Sequence, residues 1–230
     1  NLKMFDRPIP TLGYSSMEAV VESAHSRDRL AVVHSRDVDS YAYVVRAGAN
    51  GIVHITVDEG PGRDLIDGLR RQGMFVIPTL SLSTPSGTGI ADDRVLGPRL
   101  SEKESANLRG YAPLHRQGGD KIAMESVRVL NKAGVTILAG SDSPNRGTAT
   151  GVSIHQELGM LVQAGLTPIQ ALVSATSAPA DAFGLSDRGR IKTGLRADLL
   201  LVDGDPSSTI IDTRRISGVW KAGQRHVIDQ

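Results

Sequence analysis

The sequence predicts an α/β protein in which βα units build a parallel sheet and a small β segment follows. Three observations predict it. Short runs of β-branched and aliphatic residues at 31–33, 51–53 and 135–139 lack polar alternation. Such runs read as strands buried on both faces. Helix-like segments alternate with them, and Gly48, Gly73 and Gly134 mark the helix-to-strand passages. That cadence, at 46–54, 70–78 and 131–142, is the pattern of βα units. Finally, three of the strands end in a metal-capable side chain, His34, His54 and Asp142. In a βα barrel the carboxyl ends of the strands carry the active site.

The elements follow in order. Residues 2–5 form a short apolar run. Residues 16–27 have helical spacing, with Ser15 and Ser16 ahead of Glu18 as the expected N-terminal cap. Strand 30–34 comes next, then helix 38–47, closed by Gly48. Strand 51–55, helix 64–72 and strand 74–78 repeat the unit. Residues 81–119, rich in Ser, Thr, Gly, Pro and charge, break it. They follow a strand's carboxyl end and read as a long insertion that would cover or border the active site, the bland reading being a disordered surface loop. Helix 120–132 and strand 135–139 restore the rhythm. Helices at 151–164 and 168–177 follow, the second with Thr167 as cap and Pro168 at its first position. Two β runs, 199–202 and 217–220, then lead into a hairpin-like turn and belong to a separate small β unit.

Composition excludes several classes. The chain has 230 residues and a net charge of +1, so nothing in it favours nucleic acid or an anionic membrane. No apolar stretch approaches a membrane span. Cysteine is absent, which removes disulfides, thiolate ligands and a cysteine nucleophile. A metal must therefore be held by His, Asp, Glu or a modified Lys. The composition is compatible with a cytoplasmic location.

Several motifs, taken in order, carry a resemblance. They are Ala31-Val-Val-His34, Ala47-Gly-Ala-Asn-Gly-Ile-Val-His54, Ile137-Leu-Ala-Gly-Ser-Asp142, His155-Gln-Glu-Leu with Ala164-Gly-Leu-Thr-Pro168, Ala175-Thr-Ser-Ala-Pro179, and Gly189-Arg-Ile-Lys-Thr-Gly-Leu-Arg-Ala-Asp198. With them the chain resembles the carboxyl-terminal part of a metal-dependent amidohydrolase, in the branch of imidazolonepropionase and prolidase-like dipeptidases. The resemblance implies a (β/α)8 TIM-type barrel, present here as strands four to eight, plus part of a small β-sandwich. It implies a division into residues 1–180, an incomplete barrel, and 181–230, the sandwich part. A complete barrel alone takes roughly 250 residues, so length agrees with a partial one. The family's first metal motif, His-x-His, has no counterpart in the sequence.

The resemblance assigns roles by position. His34 matches the ligand on strand five, His54 that on strand six, and Asp142 the strand-eight aspartate, counted both as a metal residue and as the catalytic one. Lys3 matches a strand-four lysine that can be carboxylated and bridge two metals. The bland readings are buried hydrogen-bonded histidines, a helix cap at Asp142 and an edge charge at Lys3. Arg36 and Arg146 are candidates for a substrate carboxylate, which guanidinium pairs in bidentate fashion. His115, in the insertion, is a candidate substrate contact, and Tyr14 and Thr79 lie near predicted strand ends. His155 is expected to be structural, His25 solvent-facing and His226 inert.

The expected activity is hydrolysis of an amide, cyclic amide or dipeptide-like C–N bond. One or two divalent ions, Zn2+ above all, would activate a water, and Asp142 would act as general base and then acid. Expected partners are a small-molecule substrate, further copies of the chain, and an amino-terminal segment of the same protein or a second chain. Two alternatives stand beside this reading. The chain is a catalytically incomplete fragment or partner chain, or the scaffold serves a lactonase or phosphoesterase, since fold does not fix the bond cleaved.

Overall fold

The structure, a computed structural model, describes residues 2–3, 12–83, 88–110 and 118–227, with backbone alone at 2, 3 and 88. The first half is a run of βα units: β1 (Leu2–Lys3), α1 (Tyr14–His25), β2 (Val32–His34), α2 (Val38–Arg46), β3 (Gly51–Val53), α3 (Arg63–Arg71) and β4 (Phe75–Ile77). Three short helices follow, α4 (Leu80–Ser83), α5 (Thr88–Ala91) and α6 (Glu102–Arg109), then α7 (Gly119–Lys132) and β5 (Thr136–Ile137). After these come α8 (Ser153–Gln163), α9 (Pro168–Ala175) and α10 (Ser177–Ala182). The chain ends in β6 (Leu199–Val202), β7 (Ile216–Lys221) and β8 (Gln224–His226).

Strands β1 to β5 form one parallel sheet in sequence order. Its register explains the core. Leu2, Val33, Ile52, Val76 and Ile137 lie opposite one another across the five strands. Val33, Ile52 and Val76 are wholly inaccessible and pack with Met17, Val21, Tyr41, Val44, Leu69, Val127 and Leu161 of the helices. The next row is Lys3, His34, Val53 and Ile77, of which the last three are only half-buried. One face of the sheet is therefore sealed by helices, while the other, which carries His34, is partly open. The sheet has β1 and β5 as its edges and does not close into a barrel among the described residues. The late strands form a single three-stranded antiparallel sheet. The turn at Ala222 and Gly223 is the expected hairpin.

Several expectations need correction. The cap of α1 is Gly13, without a side-chain hydrogen bond, and the helix starts at Tyr14, so Ser15 and Ser16 lie inside it. The insertion is not a plain loop. Ser101 and Glu104 form a capping box that starts α6, and Ile90, Ala91, Leu96, Leu108 and Ala149 bury a small core of their own. Ser, Gly and charge dominate this segment, and its few apolar residues are too scattered to show a period. The helix expected over 168–177 breaks at Thr176, whose φ of −129° and ψ of −87° separate α9 from α10. The 3-10 helix Ile210–Arg214 packs on the main core through Ile210, and the ion pair of Arg214 with Asp93, 2.6 Å, joins it to the insertion.

Candidate active site

The site forms where β2, β3 and β5 end. His34 is the last residue of β2 and is half-buried. His54 follows β3 directly and is 4% exposed. The two rings meet edge to face with centroids 4.3 Å apart. Asp142 comes five residues after β5, and its Oδ2 lies 3.8 Å from His54 Nε2. That separation is too long for a hydrogen bond.

The backbone at these positions is unusual. His54, Thr79 and Asp142 have positive φ, at 73°, 50° and 54°. Non-glycine residues avoid this region, a β-branched one most of all, so surrounding contacts must hold them there. At His54 those contacts are explicit. Its N–H donates to the Ile77 carbonyl at 2.8 Å. Its carbonyl accepts a short hydrogen bond from the buried Tyr41 hydroxyl. Burial, then the nearby Asp37 charge, raise the Tyr41 hydroxyl far above its ordinary pKa, so it stays a donor. Further on, Gly140 is needed because a Cβ there would lie 2.5 Å from Ile77 Cγ2.

The His54 ring is anchored at Nδ1. Nδ1 is 2.5 Å from Thr79 Oγ1. The Thr79 hydroxyl donates to the Pro78 carbonyl at 2.7 Å. The Nδ1 contact orients the ring, and Nε2 faces Asp142 Oδ2 at 3.8 Å. A ring nitrogen anchored by an outer partner, with the other nitrogen turned towards the site, is the usual arrangement of a ligating histidine.

Asp142 is set by its own loop. Asn145 Nδ2 donates to Asp142 Oδ2 at 2.7 Å, and the Asn145 N–H reaches the Asp142 carbonyl at 3.2 Å. The loop is tied to the insertion. Asn107 of α6 donates to the carbonyls of Asn145 and Thr148 at 3.2 and 2.9 Å. Asp142 does not cap a helix, because α8 begins only at Ser153, with Val152 before it.

Imidazole nitrogen and carboxylate oxygen suit zinc and similar borderline divalent ions. The two histidines and Asp142 are neighbours. Among the described residues, however, no three His, Asp or Glu side chains converge closely enough to form a ligand cluster. Lys3 pairs in register with His34, and its side chain lies outside the described residues, as does all of His115. Arg36 is half-buried two residues beyond His34, and its carbonyl accepts from Val57 N–H. Arg146 is exposed on the Asp142 loop.

The other candidates fall elsewhere. Tyr14 donates to Glu18 and stacks under Arg46, 4.2 Å from ring centroid to guanidinium, which places it among the helices. His25 is exposed and bonds Asn50. His226 is exposed in β8. His155 is buried, as expected of a structural residue, and burial followed by the Arg214 charge lowers its pKa to about 4. Sequence reasoning missed Tyr41, Asn107, Asn145 and Glu157. Each acts through contacts made far along the chain or across a turn, and no local spacing announces them.

The chain is similar to several known proteins in sequence and in fold. Imidazolonepropionase of Streptomyces griseus is 38% identical over 105 residues, 44% of this chain and 26% of that protein. Adenine deaminase 2 of Desulfotalea psychrophila is 30% identical over 128 residues, 54% of this chain and 21% of that protein. A crystal structure of an Xaa-Pro dipeptidase, with methionine bound in its active site, matches with a TM-score of 0.72 at 22% identity, over 94% of this chain and 49% of that one. A putative prolidase from Bifidobacterium longum matches with a TM-score of 0.71 at 22% identity, over 96% of this chain and 52% of that one. The chain thus spans about half the length of these solved structures, and its matches to the two curated relatives cover about a quarter of their length. The sequence model of the amidohydrolase family matches residues 3–226, and the chain belongs to that family.

Proposed function

We propose that this chain carries half of the active site of a metal-dependent hydrolase that cleaves an amide, cyclic amide or dipeptide-like C–N bond. One observation carries the reading. The His34 and His54 rings are in contact at the carboxyl ends of parallel strands, Asp142 lies beside His54, and Thr79 anchors His54 Nδ1 so that Nε2 faces Asp142. The relatives named imidazolonepropionase and adenine deaminase, and the structure titled Xaa-Pro dipeptidase, support a C–N bond over an ester or phosphoester. In this reading β1 to β5 are strands four to eight of the family's barrel, in keeping with coverage of about half of the solved relatives.

His34 and His54 would hold a divalent ion, with Lys3 in carboxylated form as a further oxygen donor. The register that sets Lys3 opposite His34 supports that placement. A bound zinc-type ion lowers the pKa of water towards about 7 and polarises a carbonyl. Asp142 then has a defined task. Its Oδ2 is oriented by Asn145 and faces His54. It takes the proton of the attacking water and returns it to the leaving nitrogen. The side chain is 38% exposed, so substrate can reach it. Arg36, two residues beyond His34, and Arg146, on the Asp142 loop, would pair with a substrate carboxylate.

The test is Asp142→Asn in the full-length, metal-loaded protein. The amide cannot accept the water's proton, so turnover should fall on the order of 10²-fold or more while the fold and most of the metal remain. Near-normal turnover would remove Asp142 from the chemistry.

A further inference from the structure

Glu157 takes no part in the chemistry above, yet it is a wholly buried acid on α8. Its two oxygens each accept a backbone N–H from a distant segment. Oε1 accepts from Leu80 at 2.9 Å and Oε2 from Ser81 at 2.8 Å. An apolar residue would pack this helix at lower cost, because a buried carboxylate loses its hydration. Burial does push the Glu157 carboxyl up to about 7, against the two N–H groups that favour its charged form. Something other than packing must account for an acid here.

The two amides it holds are those that directly follow Thr79. Thr79 is β-branched with a φ of 50°, a conformation that persists only when its neighbours fix it. In that conformation the Thr79 hydroxyl reaches His54 Nδ1, while the next two N–H groups turn to Glu157. The line of contact runs from Glu157 through the Leu80 and Ser81 amides to Thr79, and from its hydroxyl to the His54 ring.

We propose that Glu157 is a positioning residue: by clamping the Leu80 and Ser81 amides it holds Thr79 in its left-handed conformation, and so sets the tautomer and orientation of His54. The consequence for metal binding rests on the reading of His54 as a ligand. The effect on the tautomer does not.

The experiment compares the full-length wild-type protein with Glu157→Gln, Thr79→Val and His54→Ala. Glutamine keeps the shape, but it has one acceptor oxygen and sets an NH2 group against the second amide. Three quantities are read: the His54 tautomer from nitrogen–proton correlation spectra of the metal-free protein, zinc affinity by chelator competition, and the thermal melt. In wild type the spectra should show a single His54 tautomer. Glu157→Gln should still melt cooperatively but show a mixture of tautomers. Its zinc affinity should fall by about 10–100-fold, the loss typical when a ligand's orienting partner is removed. Thr79→Val should reproduce both changes. A merely structural role for Glu157 would lower the melting temperature and leave the tautomer alone. Folded Glu157→Gln protein with the wild-type tautomer and zinc affinity overturns the proposal. Should that variant not fold, Glu157→Asp keeps the charge, is too short to reach both amides, and is judged by the same two readouts. Undiminished zinc binding in His54→Ala would overturn the ligand reading instead, while the tautomer of the metal-free protein still decides the role of Glu157.

Discussion

At the scale of single residues, the site is a set of strained positions held by buried hydrogen bonds. His54 is fastened at its N–H, its carbonyl and its Nδ1 by Ile77, Tyr41 and Thr79. Its identity as a candidate was legible in the sequence, because an apolar run that ends in histidine is a local signal. The fastening was not legible. Tyr41 looks like one apolar position of α2, and only the fold shows its hydroxyl beneath the His54 carbonyl. Tyr41→Phe removes that donor and leaves a buried carbonyl unpaired, which should cost about 1–3 kcal/mol of stability. Urea unfolding of the two proteins measures it. A loss near zero would mean that the hydrogen bond contributes nothing to holding the left-handed turn.

At the scale of elements, the βα units were legible because their helix ends are written in glycine. Gly48, Gly73 and Gly134 have φ of 74°, 61° and 80°, which other residues adopt only at a cost. The helices of the insertion were not, because their small core draws on Ala149, far along the chain. Helix α8 adds a prediction of its own, for it buries two titratable groups that respond to pH in opposite directions. Burial raises Glu157 from 4.5 to about 7. Its folded form keeps a proton that the unfolded chain has released, so this contribution is full below pH 4.5 and is lost as pH rises through about 7. Burial, then Arg214, lower His155 from 6.5 to about 4. Here the unfolded chain takes up a proton that the fold refuses, so the contribution is full above pH 6.5 and is lost as pH falls towards about 4. Asp93, the ion-pair partner of Arg214, also faces His155. Burial opposes its ionisation, but the Leu96 and Val95 amides and Arg214 hold its carboxyl below 3.8, outside this window. In wild type the two slopes offset each other. Urea unfolding at about pH 5 and about pH 6.5 should show Glu157→Gln gaining stability with rising pH and His155→Gln losing it. Parallel profiles in all three proteins would show that neither group is shifted in the fold.

At the scale of the whole molecule, the parallel sheet and the family were legible, because both are carried by ordered local motifs. That the sheet stays open among the described residues agrees with the five strands of eight that the resemblance implied; its edge partners were not legible, since they depend on contacts across β1 and β5 and not on any one strand. The sheet runs from β1 to β5 with His34 on the less covered face, and the late antiparallel strands leave Leu199, Leu200 and Leu201 exposed. No helix among the described residues is long and apolar enough to cross a membrane. The central claim is that His34 and His54 hold a metal beside Asp142. Zinc content per chain in the full-length protein, measured after dialysis for wild type, His34→Ala and His54→Ala, tests it most directly. The account predicts between about one and two zinc ions in wild type and a large loss in each variant, since a site of few ligands does not survive the removal of one. Full zinc content in both variants would contradict it.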